Sequence, residues 1–118
     1  MIQLIAYGVI AISIVLAGYF MLSLLNKQNV DLSELLAQNA QIIDVRSAEE
    51  FAGGHDQRSI NIPLAELKSR MNEIKKDVPI IVVCLSGGRS QMAMHQLKDL
   101  GLENVYNGGG WHVLSKYE

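Results

Sequence analysis

The sequence predicts an α/β fold with a mainly parallel sheet, covered by helices on both faces and preceded by one transmembrane helix. Three observations lead there. Every Asp, Glu, Lys and Arg lies at or after Lys27, so Leu4 to Leu25 carries no charge. Short β-branched runs such as Ile80-Ile81-Val82-Val83 recur beyond it. Helix-capping signals stand between those runs, which makes strands and helices alternate.

The first element is the apolar one. At about 1.5 Å per residue, residues 4 to 25 form a helix of roughly 33 Å, against a hydrocarbon core of about 30 Å. Apolar side chains cover all its faces, and a domain of about 90 residues cannot enclose such a rod. No Lys or Arg precedes it and no A-x-A site follows it, which favours an uncleaved anchor over a signal peptide. The expected organisation is an anchor at residues 1–26 and a domain at 27–118, with a polar linker at Asn26 to Val30. Lys27 and the lone cysteine together place the domain of this single-pass protein on the cytoplasmic face.

Asp31-Leu32-Ser33-Glu34 has the spacing of an N-cap with an acidic third helical residue, and opens a short helix to about Gln38. Gln41 to Val45 is a buried strand. Ser47-Ala48-Glu49-Glu50 is a capping box whose helix ends at Gly53-Gly54. Ser59 to Ile62 makes another strand, and Pro63 starts a helix with Leu64, Leu67, Met71 and Ile74 on one face. After the strand Ile80 to Val83, Ser90 is the expected N-cap of a helix from Gln91 to Leu100. That helix places Ala93, Leu97 and Leu100 together and stops at Gly101. Asn104-Val105-Tyr106 is the last strand, before Gly108-Gly109-Gly110.

The single cysteine, Cys84, follows the most apolar of these strands and opens the loop Leu85-Ser86-Gly87-Gly88-Arg89-Ser90. Ligands of open α/β sheets bind at such carboxyl ends. A thiolate is the nucleophile, and helix N-terminal amides and a cation such as Arg89 lower its pKa. Glycines at 87 and 88 allow the backbone to form an anion-binding nest. Net charge −2, with Asp31 and Glu34 beside the anchor, argues against nucleic acid and anionic headgroups as targets. Three scattered His and one Cys lack metal-site spacing, so neither a metal nor another cofactor is expected.

Four segments resemble the rhodanese domain in order and spacing, over residues 31 to 114: Ile43-Asp44-Val45-Arg46, Gly54-His55 with Ile60-Asn61-Ile62-Pro63, Cys84 to Ser90, and Val105 to Gly110. The resemblance implies a sulfurtransferase. Cys84 would take sulfane sulfur from a small donor such as thiosulfate, hold it as a persulfide, and pass it to a thiol or cyanide-like acceptor. Leu85, Ser86, Gly87, Gly88, Arg89 and Ser90 would form the substrate cradle, with Arg89 adding charge at its rim. Asp44, Arg46 and His55 would brace the fold. Cysteine-dependent phosphatases and arsenate reductases, some on this same fold, share a His-Cys-x5-Arg loop. Here Val83 replaces the His and only four residues separate Cys84 from Arg89, a loop better suited to one sulfur atom than to phosphate.

Departures bear on the donor. Two-domain thiosulfate and mercaptopyruvate sulfurtransferases tend to carry an anion-binding Arg where Glu50 precedes Phe51, which weakens both small anionic donors here. Ser86 is similar to the mercaptopyruvate enzymes, whereas Arg89 is similar to small single-domain members. Asp56-Gln57-Arg58 replaces the usual Ile-Pro-Gly, and eight residues follow Gly110, changes that bear on stability more than chemistry. His95 is expected in solvent, and Trp111 and His112 as packing or rim residues. Two alternatives stand beside turnover: a noncatalytic module that binds a membrane protein, and a persulfide relay loaded only by another protein.

Overall fold

The computed structural model describes residues 1–26 and 31–118. Most of the polar linker, with Lys27 and its bearing on orientation, lies outside the described residues. The chain divides into two compact units, Met1–Val30 and Asp31–Glu118. In the first, helix α1 covers Ile2–Asn26. Its stretch Ile2–Ser23 is long and apolar enough to cross a membrane, and the Ser13 hydroxyl is satisfied internally by the Val9 carbonyl at 2.9 Å.

In the second unit, four strands form the sheet: β1 (Gln41–Asp44), β2 (Ser59–Asn61), β3 (Ile80–Cys84) and β4 (Val105–Gly110). Their order is β2-β1-β3-β4 and all three pairings are parallel. Central β3 is buried at all five positions, so its sequence shows no polar alternation. Successive side chains of β1 and β3 point to opposite faces and feed two apolar clusters. Ile43 and Val82 pack with Leu67, Ala93 and Leu97; Ile42, Ile81 and Val83 pack with Leu35 and Leu114. Helix α2 (Leu32–Ala37) supplies Leu35 and helix α4 (Gly88–Asp99) supplies Ala93 and Leu97, so both faces are covered, as expected.

Helix α3 (Ala48–Ala52) begins at Ser47 with the complete capping box to Glu50. The helix expected after Pro63 is instead two 3₁₀ segments, Leu64–Glu66 and Lys68–Glu73, the second kinked at Arg70 (φ −117°, ψ 25°). The three-residue steps Leu64 to Leu67 and Met71 to Ile74 fit either helix type, so they did not distinguish the two. Helix α4 starts at Gly88, with Gly87 as its N-cap, and not at Gln91 after Ser90. Ser90 is buried inside the first turn, and Leu100 lies beyond the helix and is 40% exposed.

Strand β4 also runs further than expected, through the three glycines. Val82 pairs with Asn107 and Val83 with Gly109, leaving Gly108 as an extra, bulged residue. A Cβ on Gly108 would lie 2.7 Å from Ile81 Cγ2 and 2.9 Å from Val83 Cγ1, so the strand continues only because no side chain is there. A 3₁₀ helix, Trp111–Tyr117, closes the chain. Arg58 ties it down: its guanidinium meets Asp56 Oδ2 at 2.9 Å and donates to the carbonyls of Leu114 at 3.0 Å and Tyr117 at 3.4 Å. The residues standing in place of Ile-Pro-Gly thus fasten the short terminal segment that carries buried Leu114.

Candidate functional site

The chain leaves β1 for β2 on one side, then returns as β3 on the other side of β1 before reaching β4. The carboxyl ends of β1 and β3 therefore flank the switch point of the sheet, where crevices open. Asp44 pairs with Val83, which sets Asp44 to Arg46 beside Cys84.

Cys84 is 1% exposed. Gly87, at φ 105°, turns its N–H back to donate to Cys84 Sγ at 3.0 Å, and Ser90 Oγ lies 3.4 Å from the same sulfur. Glycine adopts that backbone conformation without steric cost. Burial pushes the thiol pKa up, but the Ser90 hydroxyl and the backbone N–H groups of Ser90, Gly87 and Ser86 together lower it from 9.0 to about 7. About half the thiol is then ionised at neutral pH. Of the cradle residues read from the sequence, Gly87 and Ser90 reach the sulfur by hydrogen bonds and the Ser86 amide also lowers its pKa, while Leu85, Ser86 and Gly88 are exposed and form the outer lip.

A hydroxyl carries one proton, and Ser90 has two acceptors for it. Its Oγ lies 2.6 Å from Asn107 Oδ1 as well as near the sulfur. With Cys84 protonated, the S–H faces Ser90 and the Ser90 proton faces Asn107. Donation of the Ser90 proton to the thiolate instead is what lets this hydroxyl lower the Cys84 pKa, and Asn107 Oδ1 accepts from the Gly109 N–H at 2.9 Å as well. Asn107 Nδ2 also donates to the Gly87 carbonyl at 3.1 Å and to Gln91 Oε1 at 2.9 Å. Asn107 thus couples β4 to the cysteine loop, a role that sequence reasoning missed. The available signal was one amide side chain between Tyr106 and three glycines.

Arg89 stands in the first turn of α4 and pairs with Glu50. Its two terminal nitrogens donate to Glu50 Oε1 at 2.6 Å and Oε2 at 2.9 Å. Glu50 also accepts from the Ser47 amide at 3.3 Å and hydroxyl at 3.1 Å, so the cap of α3 fixes its rotamer. The hydrogen bond from Arg89 foremost, opposed by burial and aided by Ser47, lowers the Glu50 pKa to about 2. The Arg89 pKa is raised, first by Glu50, and also by the Cys84 thiolate.

Asp44 and Arg46 form a buried pair at 2.8 Å. Arg46 Nε reaches both Asp44 oxygens at 3.0 Å, and its terminal nitrogens donate to the carbonyls of Glu50 at 3.3 Å and Gly54 at 2.7 Å. The guanidinium carbon also lies 4.8 Å from the Trp111 ring centroid. His55 stacks on Phe51 at 3.7 Å, and its Nδ1 donates to the Phe51 carbonyl at 2.7 Å. The Arg46 set holds the β1–α3 connection against Trp111 of the terminal segment, whereas His55 packs within the α3 region; neither set hydrogen-bonds the sulfur. His95 meets Gln91, at 3.2 Å, on the exposed side of α4. Among the described residues no three His, Cys, Asp or Glu side chains converge on one point.

Fold and loop define an α/β domain that presents one partly ionised thiol in an amide cradle at the switch point of a parallel sheet. Residues 28–115 match the Rhodanese-like domain family, and the chain belongs to it. The thiosulfate sulfurtransferase GlpE of Shewanella oneidensis is 33% identical over 80 residues, covering 64% of this chain and 79% of its own. The uncharacterized protein YqhL of Bacillus subtilis is 44% identical over 70 residues, 59% of this chain; the chain spans 56% of YqhL's length. The crystal structure of a rhodanese-related protein from Thermoplasma volcanium superposes with a TM-score of 0.62 at 33% identity, covering 73% of this chain and 85% of that one. Homologues of this domain include proteins named as sulfurtransferases and one named as a putative sulfur carrier.

Proposed function

We propose that this protein is a membrane-anchored sulfurtransferase whose Cys84 alternates between thiolate and persulfide. One observation carries the proposal: a solitary thiol with its pKa lowered to about 7, held by Gly87 N–H and Ser90 Oγ at the carboxyl end of β3, beside the switch point of the sheet. With thiosulfate as the simplest donor, the Cys84 thiolate attacks the outer sulfur. The sulfur–sulfur bond of thiosulfate breaks, sulfite leaves with the electron pair, and a persulfide anion remains on Cys84. Its terminal sulfur extends toward the lip of Leu85, Ser86 and Gly88, whose amides with that of Gly87 offset its charge. A thiolate or cyanide acceptor then attacks that terminal sulfur, and the Cys84 thiolate departs unchanged.

Residues 1–26 act as the anchor, with lipid around residues 4–25, and residues 27–118 as the domain. The domain works on the cytoplasmic face beside a membrane-protein partner. The test of catalysis is thiocyanate formation from thiosulfate and cyanide by the full-length chain in neutral detergent. Cys84→Ser abolishes it; a variant that retains the wild-type rate would sink the proposal.

A further inference from the structure

The rim of the site carries a feature that sulfur transfer alone does not require. Arg89 is the cation of the cysteine loop, yet both of its terminal nitrogens are committed to Glu50, at 2.6 and 2.9 Å. The pair is about one third exposed at each partner, so it stands at the mouth and not in the core. Glu50 is held on its other side by the Ser47 cap. A fork-to-fork pair with one partner fixed by a helix cap is directional as well as attractive.

We infer that Glu50 is a specificity-determining residue: by neutralising Arg89 at the mouth it selects against dianionic sulfur donors such as thiosulfate and in favour of donors of low charge, such as alkyl or protein-borne persulfides. This inference rests on the sulfur-transfer proposal for the identity of the donors, though the electrostatics hold for any reagent that approaches Cys84. With a favoured donor the balance is simple. The Cys84 thiolate attacks the outer sulfur of R–S–SH, the S–S bond of the donor breaks, R–S⁻ leaves, and Cys84 becomes Cys84–S–SH. The leaving group carries one negative charge where sulfite carries two, so the cost of a fixed carboxylate at the mouth is smaller throughout. Because Glu50 stays ionised down to a pH of about 2, the neutralisation does not switch off near neutral pH.

Alkylation reads the mouth independently of sulfur transfer. Iodoacetate and iodoacetamide attack the same thiolate with the same leaving group and differ by one negative charge, and Cys84 is the chain's only cysteine. In the full-length chain in neutral detergent, Glu50→Gln keeps a hydrogen-bond acceptor for Arg89 but removes the charge. The iodoacetate-to-iodoacetamide rate ratio is expected to rise about threefold at low salt, and the loading rate with thiosulfate relative to a hydroxyalkyl persulfide about tenfold, as a single charge a few ångströms away dictates. Both gains shrink as salt is added. Any change in the Cys84 pKa cancels in each ratio. Ser47→Ala removes the hydroxyl but keeps the residue-47 amide, the Glu50 charge and its pair with Arg89, and so leaves both ratios unchanged. Equal gains for charged and neutral reagents, or no gain, would overturn the inference while leaving Cys84 as a sulfur carrier. Failure of every donor to load Cys84, with the alkylation ratio still shifted, would instead overturn the sulfur-transfer proposal and retain the neutralised mouth. The wild type needs no variant to be informative: its ratio is nearly flat with salt, and a steep fall would show Arg89 acting as a free cation.

Discussion

Replacing Ser90 with Ala removes the side chain that most lowers the Cys84 pKa and leaves Asn107 Oδ1 with only the Gly109 N–H. A hydrogen bond to a charged group contributes about 1.5–3 kcal/mol, or roughly one to two pKa units. The Cys84 pKa therefore moves from about 7 to the region of 8–9. At pH 7 the thiolate fraction falls from about one half to about 3% for a pKa near 8.5, roughly sixteenfold. A more basic thiolate is also a better nucleophile: with a Brønsted coefficient of about 0.4–0.5, a rise of 1.5 units returns about a factor of five. Alkylation by neutral iodoacetamide is then about three- to fourfold slower than wild type at pH 7, yet about fivefold faster near pH 10. The rate profiles must cross. The assay is the iodoacetamide rate against pH for both chains, with thiolate ultraviolet absorbance as a second reading of the pKa. An unchanged midpoint, or parallel profiles that never cross, would show that Ser90 does not stabilise the thiolate.

Further expectations concern stability and its dependence on pH. Asp44→Asn strands the Arg46 guanidinium, 4% exposed, without its carboxylate and costs about 3–5 kcal/mol in denaturant unfolding; a loss below about 1 kcal/mol contradicts a bracing role. Gly108→Ala forces a methyl group against Ile81 and Val83 and costs about 1–3 kcal/mol, read as a lower melting temperature; an unchanged value would place the bulge elsewhere. The Cys84 pKa is lower folded, about 7, than unfolded, about 9.0, so its contribution is fully present above pH 9 and is lost as pH falls through 7. Wild type should gain about 2 kcal/mol over Cys84→Ser between pH 7 and 9; identical pH slopes for the two chains would contradict the lowered pKa.

Much of the fold was legible because its causes are local. The charge-free segment, the Asp31 and Ser47 caps, and the apolar run ending at Cys84 each act within a few residues, and all four parallel strands fall close to the runs that predicted them. What escaped the sequence depends on partners brought together by the sheet. Ser90 has the chemistry of an N-cap, but its hydroxyl is drawn to Cys84 and to Asn107, which is 17 residues away. Helix α4 begins at Gly88 instead, and Gly87 as its N-cap donates to the sulfur. Glu50 and Arg89 are 39 residues apart and meet only because β1 and β3 are neighbours. The composition of the capping box located Glu50 on α3, yet it could not show that the same carboxylate also occupies the mouth. Arg58 likewise looked like a departure that weakens the domain, whereas its reach to Leu114 and Tyr117 fastens the terminal segment.

The most direct measurement is the intact mass of the full-length chain in neutral detergent after incubation with thiosulfate or with an alkyl persulfide, alongside Cys84→Ser. The wild-type chain should gain the mass of one sulfur at Cys84 and lose it to cyanide with release of thiocyanate, while the variant gains none. A wild-type mass unchanged by both donors, or an equal gain in Cys84→Ser, would contradict a persulfide carried on Cys84.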